Sequence, residues 1–247
     1  DPVGTWDLMN WNRNPPQHMT VHMKQKYGGW INSIPEITTS GTYQLEPLST
    51  NPFAAYKIPS PNSSSEFFVV EYRKAEGQFE SSLPGSGLII YRVNPSIEGN
   101  ADGPPDELYV YRPGGTSSID GDINSAYFSA DVNRTKFDDS TNPSCFLSNG
   151  AQGGIEIKNI TSSGNTISFD LIADDGFQAP RNLTASVSDT NVSLSWQKPN
   201  TGNGTLTAYK IFRNNTLIQT ISNPNTLNYN DNGLSQGQYS YHLTAVY

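Results

Sequence analysis

The stretch HMTVH, His18 to His22, sets two of the chain's three histidines four residues apart. On a helix that spacing puts both imidazoles on one face, as two ligands are presented to one zinc ion. The chemistry also needs a glutamate directly after the first histidine, to take a proton from metal-bound water. Met19 stands there instead. A third ligand is missing too, because the other histidine, His242, lies near the far end of the chain. His18 and His22 are therefore expected to be structural, partly exposed side chains on a helix.

Other residue types raise other chemistries. Glu66, Glu71 and Glu76 lie on or near the stretch SEFFVVEYR, and paired carboxylates can cleave glycosides. Glu71 and Arg73, two apart on one strand face, favour a buried polar contact instead. The loop SIDGDIN places Asp120 and Asp122 around Gly121 with Asn124 following, and alternate oxygen donors suit calcium. The twelve-residue helix–loop–helix calcium pattern is not met, since no glutamate closes it. Asp and Asn also form turns without metal. Asp102, Asp106, Glu107, Asp138 and Asp139 mark further acidic loops. Cys145 has no nearby histidine to activate it, and a single cysteine excludes an intrachain disulfide. The tyrosines of YVYRPGG and QYSYHL could meet a glycan, although alternating tyrosines more often pack across strands.

The elements that must carry these residues are mostly strands. The chain has 247 residues, 34% hydrophobic and only 15% charged, with a net charge of −8. Length suggests two domains or slightly more. Abundant Ser, Thr, Asn, Gly, Pro and Tyr suit an all-β extracellular protein. No basic cluster exists, so nucleic acid is excluded as an expected partner. No apolar run approaches the ~20 residues that cross a bilayer. The span PPQHMTVHMKQKYGGW predicts one helix, opened by Pro15 and Pro16 and stopped by Gly28 and Gly29. Strands follow in SGTYQLEPL, AAYKI, SEFFVVEYRKAEG, GSGLIIYRVN, ELYVYRP, GGIEIKNI and NTISFDLI. In FFVVEYR, Phe67, Val69, Glu71 and Arg73 share one face, and Phe68, Val70 and Tyr72 the other. Residues 113–150 show little periodicity, which marks a functional, metal-stiffened or mobile segment. The chain opens on DPVGTW and closes on YHLTAVY in mid-strand, so it is expected to be a piece of a longer gene product.

ADDGFQAP reads as a linker, and six more strands follow it, with Trp196 central in the second. Pro180, Leu183, Trp196, Tyr209, Leu234, Tyr239 and Ala245 make this region resemble a fibronectin type III domain. The resemblance implies that Trp196 is buried, that Leu234 and Tyr239 form a tyrosine corner, and that the fold's final strand is missing.

VGTWDLMNWN followed by PPQHMTVHMKQKYGGWI resembles secreted zinc metallopeptidases of the immune inhibitor A type. SGTYQLEPL, FFVVEYR, SSLPGSGLIIYRVN, FDDSTNP and IEIKNITSSGNTISFDL extend the resemblance over residues 1–173. It implies that Met9 is the methionine of a turn below the metal, anchored by Trp6, and that HMTVH follows the zinc helix instead of being it. The chain departs from the family at Arg92 and Asn94, where relatives often carry a histidine and an acidic residue. The expected architecture is all-β: a peptidase-domain tail with turn and helix at 1–34, a β-sandwich-like domain at 35–173, and an immunoglobulin-like fibronectin type III sandwich at 178–247. The expected function is the non-catalytic segment of a secreted or cell-surface zinc peptidase. Zinc would belong to the parent only, and peptide substrate would be met through the missing catalytic domain. The alternative is a non-enzymatic adhesion or glycan-binding protein.

Overall fold

The computed structural model describes residues 1–173, 179–199 and 205–247. The chain divides into two compact units, Asp1–Ala173 and Asp174–Tyr247. In both, the strands pair antiparallel and helix is scarce, so the all-β class holds.

The first unit begins with a short 3-10 turn, Gly4–Trp6, and one short helix, α1 (Val21–Lys26). Seven strands follow: β1 (Gly41–Leu45), β2 (Ala55–Pro59), β3 (Phe67–Arg73), β4 (Gly87–Val93), β5 (Leu108–Val110), β6 (Glu156–Lys158) and β7 (Ile167–Ile172). One sheet has the order β2-β3-β4-β5, and the other β1-β7-β6. The alternation in β3 decides the layering. Phe68, Val70 and Tyr72 point into a core shared with Leu45, Ile167, Phe169 and Leu171 of the second sheet, so the two sheets form a sandwich. On the opposite face, Val69, Ile89, Tyr91 and Val93 pack under Val3, Trp6, Val21 and Ile34 of the N-terminal segment. Strands β3 and β4 are thus buried on both faces, which is why they read as nearly continuous apolar runs.

The helix is much shorter than the sequence predicts. Residues 17–20 stay non-helical because their polar groups have other partners. Gln17 Nε2 donates to Thr5 O (3.1 Å), His18 N to Glu80 Oε1 (2.8 Å) and Thr20 N to Asp7 Oδ2 (2.7 Å). Thr20 then caps the helix, its hydroxyl accepting from Met23 N (3.4 Å). His18 therefore lies outside the helix that carries His22.

The aperiodic stretch 113–150 is anchored by packing. Phe128, Phe137, Cys145, Phe146 and Leu147 are all buried in the sandwich core. Phe128 bridges Leu88, and Phe137 bridges Ile157, through backbone pairs.

Among its described residues, the second unit has six strands: β8 (Arg181–Ser188), β9 (Asn191–Gln197), β10 (Ala208–Arg213), β11 (Thr216–Ile221), β12 (Asn228–Asp231) and β13 (Tyr241–Val246). They form two three-stranded sheets, β12-β9-β8 and β11-β10-β13. Val192, Leu194 and Trp196 of β9 alternate inward against Tyr209 and Ile211 of β10. The expected linker falls largely on residues 174–178, outside the described residues.

Candidate functional site

The densest polar arrangement is a charged hub between the N-terminal segment and the sheet. Arg73, at the end of β3, has no solvent exposure. Its Nε and Nη2 donate to Glu80 at 2.7 and 2.6 Å, and Nη1 donates to Glu71 Oε1 at 3.1 Å. The same guanidinium donates to the carbonyls of Trp6 and His18, 2.5 and 3.1 Å away. Glu71 Oε2 accepts from Val21 N and Tyr91 Oη, both at 2.9 Å. Burial works against the Arg73 charge, but Glu80 and Glu71 more than offset it and its pKa rises. Burial pushes Glu71 up against the pull of Arg73. The hub stitches residues 6–21 onto β3. Its carboxylates are enclosed and bonded, so it holds structure and has no path to a substrate.

A second cluster surrounds Glu107, just before β5. Its carboxylate accepts from Lys26 Nζ (2.6 Å), Tyr27 Oη (2.7 Å) and Gly99 N (2.6 Å), with His22 Nε2 at 3.2 Å. Burial alone would raise the Glu107 pKa; these donors hold it down to about 2. His22 is buried and its pKa falls for that reason, in spite of Glu107. Burial, helped by Lys24, takes His18 down to about 4. The two histidines face different carboxylates, His18 toward Glu80 and His22 toward Glu107. They are not arranged as two ligands of one zinc.

The remaining sequence candidates are scattered. Glu66 accepts from Ser148 N and Oγ at 2.9 and 2.8 Å, with Arg92 Nε 3.5 Å away. Glu76 pairs with Lys74 (2.8 Å) at the surface, so Glu66, Glu71 and Glu76 do not form a catalytic pair. Asn94 Nδ2 donates to Ser148 Oγ (2.9 Å). Asp122 uses its oxygens on Asn124 N (3.1 Å) and Ser125 Oγ (2.6 Å), which shapes the turn. Asp120 lies 3.4 Å from Arg112 Nη2. Among the described residues, no three His, Cys, Asp or Glu side chains are grouped to hold a metal ion. Cys145 is buried, and burial pushes its thiol pKa well up, away from reactivity.

Two clefts open on the first unit. A small one, about 160 Å³, is lined by Val3, Met9, Met23, Tyr27 and Leu108, with Asp7 and Glu107 at its polar side. A larger polar one, about 420 Å³, is lined by Asp106, Tyr109, Arg112 and Thr116 among others. Tyr109 cannot offer a sugar a stacking face there. It is buried, with the Arg112 and Arg92 guanidiniums 4.6 and 5.4 Å from its ring centre. Tyr111 is buried as well.

Trp6 and Met9 have opposite environments. Trp6 is fully buried and its indole donates to Ile123 O (2.7 Å), fixing the turn that carries it. Met9 is 67% exposed. Trp11, Tyr27, Trp30 and Phe79 are also exposed. They lie in or beside the segment that covers β3 and β4: Phe79 meets the His18 ring edge-on, and Tyr27 shares a cleft with Met9.

Glu80 lies in an aperiodic stretch outside any motif, and Glu107, marked in the sequence only as part of an acidic loop, gives no local sign of the donors that gather on it. Asp7 sits inside GTWDLM, where attention falls on Trp6 and Met9.

In the second unit, Trp196 packs edge-on against Tyr209, 5.4 Å between ring centres. Tyr239 Oη donates to Ser235 O (2.9 Å), closing a corner ahead of β13. Arg213 and Tyr241 both donate to Asp231, at 2.9 and 2.8 Å. No curated protein matches the chain. Residues 178–247 match the family model of the fibronectin type III domain, so this unit is a fibronectin type III domain.

Proposed function

We propose that the chain is the non-catalytic part of a secreted or cell-surface zinc metallopeptidase, in which residues 1–173 brace the catalytic domain and position substrate. The exposed Met9, Trp11, Tyr27 and Trp30 of the N-terminal segment carry this reading. Large apolar groups left in water on one segment mark a contact surface, and these sit on the segment whose sequence resembles the end of such a peptidase. Met9 would find its cover against the catalytic domain. Zinc would be held there, because the histidines of this chain do not converge. The fibronectin type III domain would serve as a protein-binding or spacing module.

The reading is tested first on the coding sequence ahead of Asp1. An HExxH motif with a third ligand upstream of GTWDLM supports it, and the lack of one sinks it. A second test uses protein extended by that upstream region. Acrylamide quenching of Trp11 and Trp30 should fall relative to the present chain; unchanged quenching removes the bracing role. The present chain alone should not hydrolyse casein, with or without added zinc.

A further inference from the structure

We propose that His18–His22 is a proton-operated latch: acidification charges both imidazoles and loosens residues 13–27 from the face of β3 and β4, before either sandwich unfolds. This does not depend on the peptidase reading.

The geometry makes two protons costly at one place. His18 is faced by Lys24 from α1, by Arg73 from β3 and by Glu80 from the loop after β3, with the Phe79 ring at its edge. A proton there adds a third cation beside two fixed ones. Glu80 has little capacity left, since both its oxygens bond Arg73 and one also accepts from His18 N. His22 is faced by Glu107, by Lys26 and by the edge of Phe67, with Tyr91 Oη at its backbone N–H. Its Nε2 meets Glu107, so the neutral ring leaves Nδ1 bare. That Nδ1 is buried without a partner. Protonation would create a buried N–H with nothing to accept it. Glu107 attracts the charged ring, but burial outweighs that attraction.

The sign follows. Both folded pKa values lie below the ordinary 6.5, and His18 lies at about 4. Their contribution is complete above 6.5 and is lost as pH falls from there through the folded values. The loosening is local because both histidines belong to one segment. Trp6 before it and Ile34 after it are held by apolar packing that does not titrate. Asp7 and Glu71 also hold this segment, through Thr20 N and Val21 N. They remain in place in the histidine variants below, which separates their effect.

Hydrogen exchange read by mass spectrometry tests the latch on the whole chain at about pH 7.5 and about pH 4.5, corrected for intrinsic exchange. Protection across residues 15–28 should fall about tenfold or more at the lower pH, while β4, β7 and β9 keep theirs. The double variant His18→Gln/His22→Gln should keep its protection at both. Equal protection in the wild type at both values, or the same loss in the double variant, overturns the proposal. If the double variant does not fold, NMR titration of the wild-type imidazoles decides, with His242→Gln identifying the third signal. Both His18 and His22 should titrate below about 6, and either one at or above 6.5 overturns it.

Discussion

Arg73 shows how a charge survives with no water around it. Two carboxylates and two carbonyls satisfy its donors, and those acceptors come from three different parts of the chain. Arg73→Met should therefore leave Glu71 and Glu80 buried and uncompensated, at a cost of about 3–5 kcal/mol, read as a lower urea midpoint for the first unit. Glu107 acts differently. Its folded pKa, about 2, lies below its ordinary value. Its stabilisation is present above the unfolded value and disappears as pH falls through the folded one. Glu107→Gln should lower stability by roughly 2 kcal/mol at neutral pH, since hydrogen bonds to a charged group are lost. The variant should also flatten the acid limb of the stability curve. An unchanged acid limb would show that Glu107 is not the group that titrates there.

The short helix α1 is decided at its N-cap, Thr20. Thr20 offers its hydroxyl to the helix while Asp7 claims its N–H, so the chain turns helical only at Val21. Thr20→Ala should cost about 1 kcal/mol and fray the segment, seen as faster exchange at Met23 and Lys24. The strands are under different control. Strand β3 carries core residues on both faces, and a one-residue slip would exchange the sandwich core for the N-terminal cover. Its register against β4 runs without a break from Phe67↔Val93 to Arg73↔Gly87. That continuity places Arg73 and Glu71 under the N-terminal segment instead of in the sandwich.

At the scale of the molecule each unit has its own core, and among the described residues no buried core residue belongs to both. Trp196→Ala removes the largest side chain of the second core and should cost about 3–5 kcal/mol there. The first unit's transition should stay where it is. Differential scanning calorimetry checks this, and a joint shift of both transitions would contradict independent cores. The two units also differ in charge burial. The first encloses Arg73, Arg92 and Arg112 fully, whereas in the second a partly exposed Arg213 pairs with a buried Asp231. The first unit, where hydrogen-bond donors hold Glu107 below its ordinary pKa and burial lowers His18 and His22, should be the more sensitive of the two to acid.

The sequence by itself determined the strands, because period-two alternation and turn residues act over a few neighbours. It set the two faces of FFVVEYR, and the rhythm around Trp196 and Tyr239 was enough to suggest a fibronectin type III domain. It also argued against catalytic zinc at HMTVH, since Met19 occupies the base's position. Only the tertiary structure decided what those histidines do. The helix was expected from Pro15 onward, but Asp7 and Glu80 take the backbone N–H groups of Thr20 and His18 before helix carbonyls can. Both carboxylates are remote in sequence from the helix start or lie in aperiodic chain, so no local pattern announces them. The same holds for 113–150, which shows no period yet supplies five side chains to a core. Local preference is written along the chain. Which carboxylate finishes a given N–H is settled only when distant segments meet, and the chemistry of His18–His22 lies in that second kind of fact.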